Sequence, residues 1–494
     1  MKDDANTDHL IVLTRTRQRV KAGSPRVVAI TLFGALILGS LPLATLWQVS
    51  DRIADRVTRL DVTTIDGDVL VTPLISARRT PGILSKAIRI DDLRSALRPI
   101  VRRLPADSCL IVDVEGRNVV ASNVSTPLLP ASNLKILVAA AALEILGPDY
   151  RFSTNLVGIA NGPQIEGDLW IVGGGDPLLT AGEYPKTEIR PPLFPTRVEK
   201  LLAALTAAGI TRISGSVVGD ESRYDTERFT PSLGLGVRGT EIGPLGALLI
   251  NDGVIAASPI KPDNPALSAA IEFTRLLTER GIEVVDGPKT GTASADLPTI
   301  ASVVSAPLVE VIAEMLTNSD NNTAELLLKE IGRASTGEGT RVAGIAAVRT
   351  ALMKVNVNIE GLAMTDGSGL DRSNRVTCST LQSILVRDGG FGELTMGFAV
   401  AGRNGTLSDL FLTGSVTGIM RAKTGTLTGV KALSGVIPYS DDEAIIFSVL
   451  LNGSGVSNQS VYRPIWLSLT ESLGEFSLHP TRAELSPRGV ADAP

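Results

Sequence analysis

The stretch from Ser132 to Leu146 is the sequence feature that most constrains the fold. Its residues are apolar on nearly every face, which is typical of a buried helix rather than a surface one. Pro127 and Pro130 precede it and Gly147-Pro148 follows, so the sequence predicts where this helix begins and ends. Lys135 lies inside the apolar run, three residues after Ser132. Both side chains therefore occupy one face of the predicted helix, one turn apart.

A lysine in an apolar site has chemical consequences. Burial disfavours its charged form, so the pKa of Lys135 should fall from the usual value of about 10.4. A lysine with a lowered pKa can accept the proton of the Ser132 hydroxyl. The N–H groups at the helix start can also face a developing oxyanion. Ser-x-x-Lys occurs by chance in most chains of this length, however, so a helix start with a snorkelling lysine is the competing interpretation.

Composition excludes several other site chemistries. The chain has 494 residues, more than one domain's worth, and a net charge of −5, which argues against general nucleic-acid binding. Its two histidines, His9 and His479, lie near the termini. A Ser-His-Asp triad and a histidine-ligated zinc site are both disfavoured, so a hydrolase built on Ser132 needs another base.

The chain has two cysteines, Cys109 and Cys378, both in apolar or strand-like surroundings. An exported chain permits a disulfide between them. Two buried free thiols are the favoured interpretation, because the cysteines are far apart in sequence. No C-x-x-C metal or redox motif occurs.

The N-terminal part of the chain predicts a membrane attachment. Residues 1–26 are a basic segment, 27–49 are uncharged and long enough to span a bilayer, and 50–89 read as a membrane-proximal spacer. The basic flank places the N-terminus in the cytoplasm and the rest of the chain beyond the membrane. An uncleaved signal anchor is expected, with a cleaved signal ending near Ala44 as the alternative.

The remaining chain divides into four segments. Residues 90–153 and 301–475 are expected to form the two parts of a catalytic domain, residues 154–300 an inserted α+β domain, and residues 476–494 a disordered tail. Hairpins are predicted around Glu115-Gly116 and around 439–442. A break between two helical stretches is predicted at 318–322.

Three motifs follow one another along the chain: Ser132-x-x-Lys135, Ser319-Asp320-Asn321 and Lys423-Thr424-Gly425. Their order resembles that of penicillin-binding proteins and class A β-lactamases. Each motif is weak alone, since Ser-Asp-Asn can be a helix cap and Lys-Thr-Gly an ordinary turn. Together, in order and in suitable contexts, they are a strong signal. A second Lys-Thr-Gly-Thr at 289–292 precedes the middle motif and is interpreted as a chance copy.

Beyond these motifs, the chain closely resembles the class C low-molecular-mass penicillin-binding proteins, the D-alanyl-D-alanine carboxypeptidase/endopeptidase family. The resemblance covers roughly residues 95–470. It rests on short matches at Gly173–Pro177, Gly219–Ser222, Gly243–Leu245, Asn251–Gly253, Ala324-Glu325, Asp366–Leu370, Ala401-Gly402, Gly405–Leu407 and Lys423–Leu427. The long separation between Ser132 and Ser319 disfavours a class A β-lactamase and suits this family.

The resemblance implies an α/β (α+β) fold of the penicillin-binding-protein and serine β-lactamase type. In it, an antiparallel sheet is flanked by helices and interrupted by an inserted domain. The implied substrates are peptidoglycan stem peptides, with β-lactam antibiotics as covalent inhibitors and no metal or organic cofactor. The implied location is the cell envelope, at the outer face of the bacterial cytoplasmic membrane. A β-lactamase-like hydrolase and a non-catalytic wall-binding scaffold on the same fold are the rival functions.

The resemblance also implies roles for the motif residues. Ser132 would attack the D-Ala-D-Ala carbonyl and Lys135 would take its proton. Ser319 would relay a proton to the leaving amine, and Asn321 would hydrogen-bond the substrate amide and Lys135. Lys423 would contribute positive charge, which is expected to lower the pKa of Lys135 further.

The remaining residues of the third motif complete the implied site. Thr424 and Thr426 would hold the terminal carboxylate of the substrate, and Gly425 lies between them in the same substrate-binding strand. The main-chain N–H groups of Ser132 and Thr426 would form the oxyanion hole.

Overall fold

The computed structural model of the protein describes residues 81–255 and 262–476. The predicted basic segment, the membrane anchor at 27–49, most of the spacer and all but the first residue of the C-terminal tail lie outside these residues. Among the described residues, none of the helices combines the length and apolarity that crossing a membrane requires.

The described residues contain ten α-helices and fifteen strands, which we number in chain order. The helices are α1 Pro81–Val101, α2 Lys135–Leu146, α3 Glu199–Ala207, α4 Pro265–Glu279, α5 Leu308–Asn318, α6 Asn321–Thr336, α7 Arg341–Lys354, α8 Cys378–Asp388, α9 Glu393–Met396 and α10 Gln459–Gly474. The strands are β1 Ser108–Val114, β2 Arg117–Ser122, β3 Ser153–Asn161, β4 Gln164–Val172, β5 Leu179–Thr180, β6 Thr196–Arg197, β7 Arg212–Ile213, β8 Val217–Asp220, β9 Glu283–Val284, β10 Lys289–Thr290, β11 Thr299–Val304, β12 Ala399–Val400, β13 Arg421–Leu427, β14 Val430–Pro438 and β15 Ala444–Asn452.

The first sheet is antiparallel and joins the two ends of the described chain. Its strand order is β12-β13-β14-β15-β1-β2. Every residue of β15 is buried, because helices cover both faces of the sheet. Side chains alternate between faces along a strand. Ile446 therefore packs in one apolar cluster with helices α2, α5 and α6, whereas Phe447 packs in the other with α1 and α10.

Both predicted hairpins are confirmed. β1 pairs with β2, and the turn residues Glu115 and Gly116 have φ angles of 51° and 75°, as a two-residue hairpin turn requires. β14 pairs with β15 from Val430↔Asn452 to Pro438↔Ala444. The first helix, α1, begins at Pro81, a residue type that suits the first turn of a helix because its fixed φ is already helical.

The second sheet is mixed and lies wholly between Ser153 and Val304. Its main path is β10-β8-β4-β3-β11, with β7 and β9 added at the side of β4. Helices α3 and α4 pack on it around Leu202 and Phe273. These strands interrupt the chain between β2 and β12 of the first sheet, where an insertion is expected. The domain boundaries at 154 and 300 remain a prediction.

The favoured interpretation of the cysteines as free thiols is wrong. Cys109, in β1, and Cys378, at the start of α8, form a disulfide with a Cα–Cα distance of 6.1 Å. Antiparallel pairing places β1 beside β15, and α8 packs across both strands. The fold thus brings together two residues 269 positions apart, which sequence distance alone could not reveal.

We expect this disulfide to stabilise the protein. Replacing both cysteines, Cys109→Ala/Cys378→Ala, should lower the free energy of unfolding by about 2–4 kcal/mol, because the cross-link restricts the unfolded chain. Denaturant unfolding of both proteins, with and without reductant, measures the effect. Equal midpoints for the two proteins under oxidising conditions would contradict the expectation.

Candidate active site

Ser132 lies in a short 3-10 turn, Ala131–Leu134, that leads directly into α2. The buried apolar helix predicted from the sequence is confirmed, except that its first residues form this tighter turn. Two glycines from elsewhere let other segments approach the turn closely. A Cβ on Gly369, whose φ is +85°, would lie 2.0 Å from the Ala131 carbonyl oxygen. A Cβ on Gly425 would lie 2.7 Å from the carbonyl oxygen of Pro130.

Lys135 is completely buried, and its ammonium group makes three hydrogen bonds. Its Nζ donates to Ser132 Oγ at 3.2 Å, to Asn321 Oδ1 at 2.7 Å and to the Ser368 carbonyl oxygen at 2.7 Å. An ammonium group has three donors, so each of them has a partner. Ser132, Lys135 and Asn321, named from separate motifs, are therefore joined in one hydrogen-bond network.

Burial lowers the pKa of Lys135 to about 8, as predicted. The carboxylates of Asp320, Asp366, Glu325 and Glu241 oppose this shift, since each favours the positive charge. Lys423 was expected to lower the pKa of Lys135 further, but it is not among the groups that shift that pKa. Repulsion between the two lysines lowers the pKa of Lys423, which burial already holds well below its ordinary value.

The Ser319-Asp320-Asn321 motif forms the predicted break between two helices. Helix α5 ends at Asn318, and Ser319 adopts the left-handed conformation with φ 65° and ψ 34°. Asp320 caps α6, where its Oδ1 accepts from the Thr323 N–H at 2.5 Å. Asp320 is thus a helix cap, and it lines a cleft together with Ser319 and Asn321. The Asn321 Nδ2 donates to the Glu241 carbonyl oxygen at 2.6 Å.

The third motif lies on β13, whose outer edge faces the Ser132 turn. Strand β12 pairs only with Arg421 and Ala422, so among the described residues no strand covers that edge from residue 423 onward. Lys423 is completely buried, and its Nζ donates to the Thr424 carbonyl oxygen at 2.9 Å. Thr426 is exposed, and its Oγ1 accepts from Lys431 Nζ at 3.0 Å.

The motif residues surround a cleft of about 410 Å³. Five of the eight residues predicted for the site line it: Ser132, Ser319, Asn321, Thr424 and Thr426. The other three, Lys135, Gly425 and Lys423, are buried beside this lining. These five residues therefore present hydroxyl and amide groups to the cleft, and the two lysines lie behind them.

A segment that we call the strap, residues 184–193, forms the opposite wall of the cleft. Tyr184 donates to Asp252 Oδ2 at 3.1 Å, and Asn318 Nδ2 donates to the Pro191 carbonyl oxygen at 3.3 Å. The Leu193 N–H donates to Glu314, whose pKa is raised to about 7 by burial. The strap also brings the Arg190 side chain to the cleft. No sequence signal pointed to this segment.

The second Lys-Thr-Gly-Thr copy is far from this chemistry. Lys289 and Thr290 form β10, which pairs with β8 in the second sheet, and a loop follows. Lys289 Nζ forms an ion pair with Asp168 Oδ2 at 2.9 Å, and its side chain is 53% exposed. The copy contributes no residue to the cleft.

Sequence reasoning missed the loop that supports Lys135. Residues 366–370 were noted only as a family match, yet the carbonyl oxygen of Ser368 binds the Lys135 ammonium. Asp366 is completely buried and accepts from the N–H groups of Gly369 and Asp371, at 2.9 and 2.7 Å. The sequence signal that could have pointed to this loop was an aspartate, Asp366, in a turn rich in glycine and serine.

This arrangement defines a class of site. A serine hydroxyl lies beside a buried lysine with a lowered pKa, at the start of a helix and opposite an uncovered strand edge. It can support nucleophilic attack by serine with lysine as the base. No histidine lies among the described residues.

The comparison with known proteins agrees with this class. The model of the D-Ala-D-Ala carboxypeptidase 3 (S13) family matches residues 104–262 and 245–465. The chain therefore belongs to this family of serine hydrolases.

Named relatives are similar over most of the chain. A D-alanyl-D-alanine carboxypeptidase from an Actinomadura species is 29% identical over 433 residues, covering 70% of this chain and 78% of that protein. A carboxypeptidase of Mycobacterium tuberculosis is 30% identical over 353 residues, covering 68% and 73%. In structure, penicillin-binding protein 4 of Haemophilus influenzae superposes with a TM-score of 0.63 at 22% identity, over 78% of this chain and 98% of that one. The expected fold is thus confirmed.

Proposed function

We propose that the protein is a serine-type D-Ala-D-Ala carboxypeptidase/endopeptidase that acts on peptidoglycan stem peptides through an acyl-enzyme on Ser132. One observation carries the proposal: the Lys135 ammonium lies 3.2 Å from Ser132 Oγ within a buried network that also holds Asn321. Family membership supports the substrate class.

In the first step, neutral Lys135 takes the proton of Ser132 as its oxygen attacks the carbonyl carbon of the D-Ala-D-Ala peptide bond. The lowered pKa of Lys135 makes the neutral form accessible near physiological pH. The negative charge that develops on the carbonyl oxygen is stabilised by the N–H groups of Ser132 and Thr426. Such donors are worth about 3–4 kcal/mol each in other acyl-transfer enzymes.

In the second step, the peptide C–N bond breaks and the leaving amine needs a proton. We assign the relay to Ser319, which lines the cleft beside Asn321. The second hydrogen of the Asn321 amide, beyond the one given to Glu241, is available to the substrate. Water then attacks the ester on Ser132 and releases the shortened peptide.

The terminal carboxylate of the substrate is assigned to Thr424 and Thr426, with Lys423 behind them. Burial lowers the pKa of Lys423, because it disfavours the positive charge. A bound carboxylate favours the protonated lysine. Substrate and positive charge therefore stabilise one another. Gly425 allows this strand to lie against the Ser132 turn, where a side chain would meet Pro130.

The same geometry accounts for the expected covalent inhibition by penicillin. A β-lactam carries a strained amide and a carboxylate, so Ser132 can attack it as it attacks D-Ala-D-Ala. The similar Haemophilus influenzae protein has been solved in complex with a β-lactam.

Two assays test the proposal against its rivals. Purified protein should release D-Ala rapidly from a stem peptide ending in D-Ala-D-Ala and turn over nitrocefin slowly. Rapid nitrocefin hydrolysis with little D-Ala release would instead indicate a β-lactamase. Absence of both activities in a folded protein would indicate a wall-binding scaffold.

Within the cell envelope, we infer that the protein is held at the outer face of the cytoplasmic membrane. The inference rests on the uncharged run at 27–49 and the Lys/Arg-rich segment before it. The full-length protein should fractionate with membranes and need detergent for release, whereas a truncated protein starting near Asp51 should be soluble. A native N-terminus found just after Ala44 would contradict an uncleaved anchor.

A further inference from the structure

A buried carboxylate that the mechanism above does not use lies close to Lys135. Glu325 is on α6, four residues after Asn321, so both side chains leave the same face of that helix. Only 1% of Glu325 is exposed, and it does not line the cleft. A buried carboxylate needs hydrogen-bond donors, and the partners of Glu325 reveal what it holds.

The donors to Glu325 come from the loop that supports Lys135: two main-chain N–H groups and the Ser368 hydroxyl. The Gly367 N–H donates to Glu325 Oε1 at 2.9 Å, and the Ser368 N–H donates to the same oxygen at 2.7 Å. The loop packs directly on α6, since a Cβ on Gly367 would lie 2.9 Å from the Ala324 carbonyl oxygen. Glu325 thus fixes the main chain at Ser368.

The carbonyl of that same residue is a ligand of the catalytic lysine. Ser368 donates its N–H to Glu325 and accepts from Lys135 Nζ through its oxygen, 2.7 Å away. Helix α6 therefore contacts Lys135 in two ways. Asn321 accepts from it directly, and Glu325 acts through a single residue.

Charge adds a second link between Glu325 and the lysine. The charged groups around Lys135 are Asp320 and Glu325 on or capping α6, Asp366 on the loop, Glu241, and Lys423 on β13. Arg341 of α7 also interacts with both Glu325 and Asp366. The pKa of Glu325 is raised to about 7 by burial and by the charge of Asp366, although hydrogen bonds from Ser368 and Gly367 lower it. Near neutral pH, its charge and that of Lys135 are therefore linked.

We propose that Glu325 is a positioning residue for the reaction, holding the Ser368 carbonyl against Lys135 and stabilising the protonated lysine through its negative charge. This inference rests on the proposed role of Lys135 as the base.

The sharpest test is the Glu325→Gln variant, which keeps one oxygen for the two loop N–H groups but removes the charge. Loss of a nearby negative charge disfavours protonated Lys135. The acid limb of the pH profile for acylation by fluorescent penicillin should therefore move to lower pH, by about one unit at the effective dielectric of a protein site. Glu325→Ala also removes the acceptor and should slow acylation at every pH, by about tenfold or more.

Glu330→Gln is the matched control. Glu330 is also on α6 and only 2% exposed, but it binds Tyr150, Arg223 and Tyr224 rather than the loop. Its replacement should leave the acid limb in place, whatever it does to stability. Circular dichroism checks that each variant is folded.

A folded Glu325→Ala protein that acylates at the wild-type rate would overturn the positioning role alone, and a folded Glu325→Gln protein with the wild-type acid limb would overturn the charge role. An equal shift in Glu330→Gln would also overturn it, because a general loss of buried charge would then explain the effect. A wild-type protein that takes up no penicillin would overturn the proposed function, and this inference with it.

Discussion

Replacing Lys135 by arginine should reduce acylation by penicillin by about 10²–10⁴-fold or more, the range over which a positioned general base contributes. Arginine keeps its proton at every accessible pH, so it cannot accept the proton of Ser132. It is also larger, and the Lys135 side chain is completely enclosed. Circular dichroism and thermal unfolding will show whether the Lys135→Arg protein is folded. A folded variant that acylates at nearly the wild-type rate would move the role of base to another group.

The pH dependence of the wild-type protein tests the same assignment. Burial favours neutral Lys135, and its pKa falls to about 8. Because the neutral lysine is the active base, kcat/KM should rise with pH and level off above this value. The profile of kcat/KM reports groups of the free enzyme, so the free-enzyme pKa is the relevant one. A flat profile between pH 6 and about 9 would be incompatible with lysine as the base.

The second large effect concerns the two Lys-Thr-Gly-Thr copies in the chain. Lys423→Ala should weaken penicillin labelling by about 10²-fold, comparable to the loss of one electrostatic contact in an acyl-transfer site. Lys289→Ala should leave labelling nearly intact, because Lys289 lies in the second sheet and pairs with Asp168 at the surface.

Each variant is a control for the other, because both remove the lysine of a Lys-Thr-Gly-Thr sequence, one from each of the two copies. Labelling by fluorescent penicillin at several concentrations separates weaker binding from slower acylation. Equal losses in the two variants would contradict the assignment of the third motif to Lys423. A loss only in Lys289→Ala would reverse it.

Much of the site could be predicted because its chemistry depends on local patterns. The spacing of Ser132 and Lys135 places both on one helical face, and the apolar run around them predicts burial. The break at Ser319 was readable because a run of Ser, Asp and Asn favours helix caps and turns. Lys423 could be distinguished from its copy by motif order, because Lys289 precedes the middle motif.

The parts that escaped prediction depend on contacts between distant segments. The disulfide joins Cys109 to Cys378 only because α8 packs across β1. The support of Lys135 by Ser368, and of Ser368 by Glu325, arises where α6 meets the 366–370 loop. The strap, which lies between β5 and β6, is held at the cleft by contacts with Asp252 and Asn318. Residue periodicity and motif spacing do not predict contacts between segments that are distant in sequence.

The most direct test of the account is the intact mass of the protein after incubation with penicillin. The wild-type protein should gain the mass of one penicilloyl group, and peptide mapping should place it on Ser132. Ser132→Ala should gain none while remaining folded, because removing a hydroxyl at a helix start costs at most about 1–2 kcal/mol. A penicilloyl group on another residue, or an adduct that persists in Ser132→Ala, would contradict the assignment of Ser132 as the nucleophile.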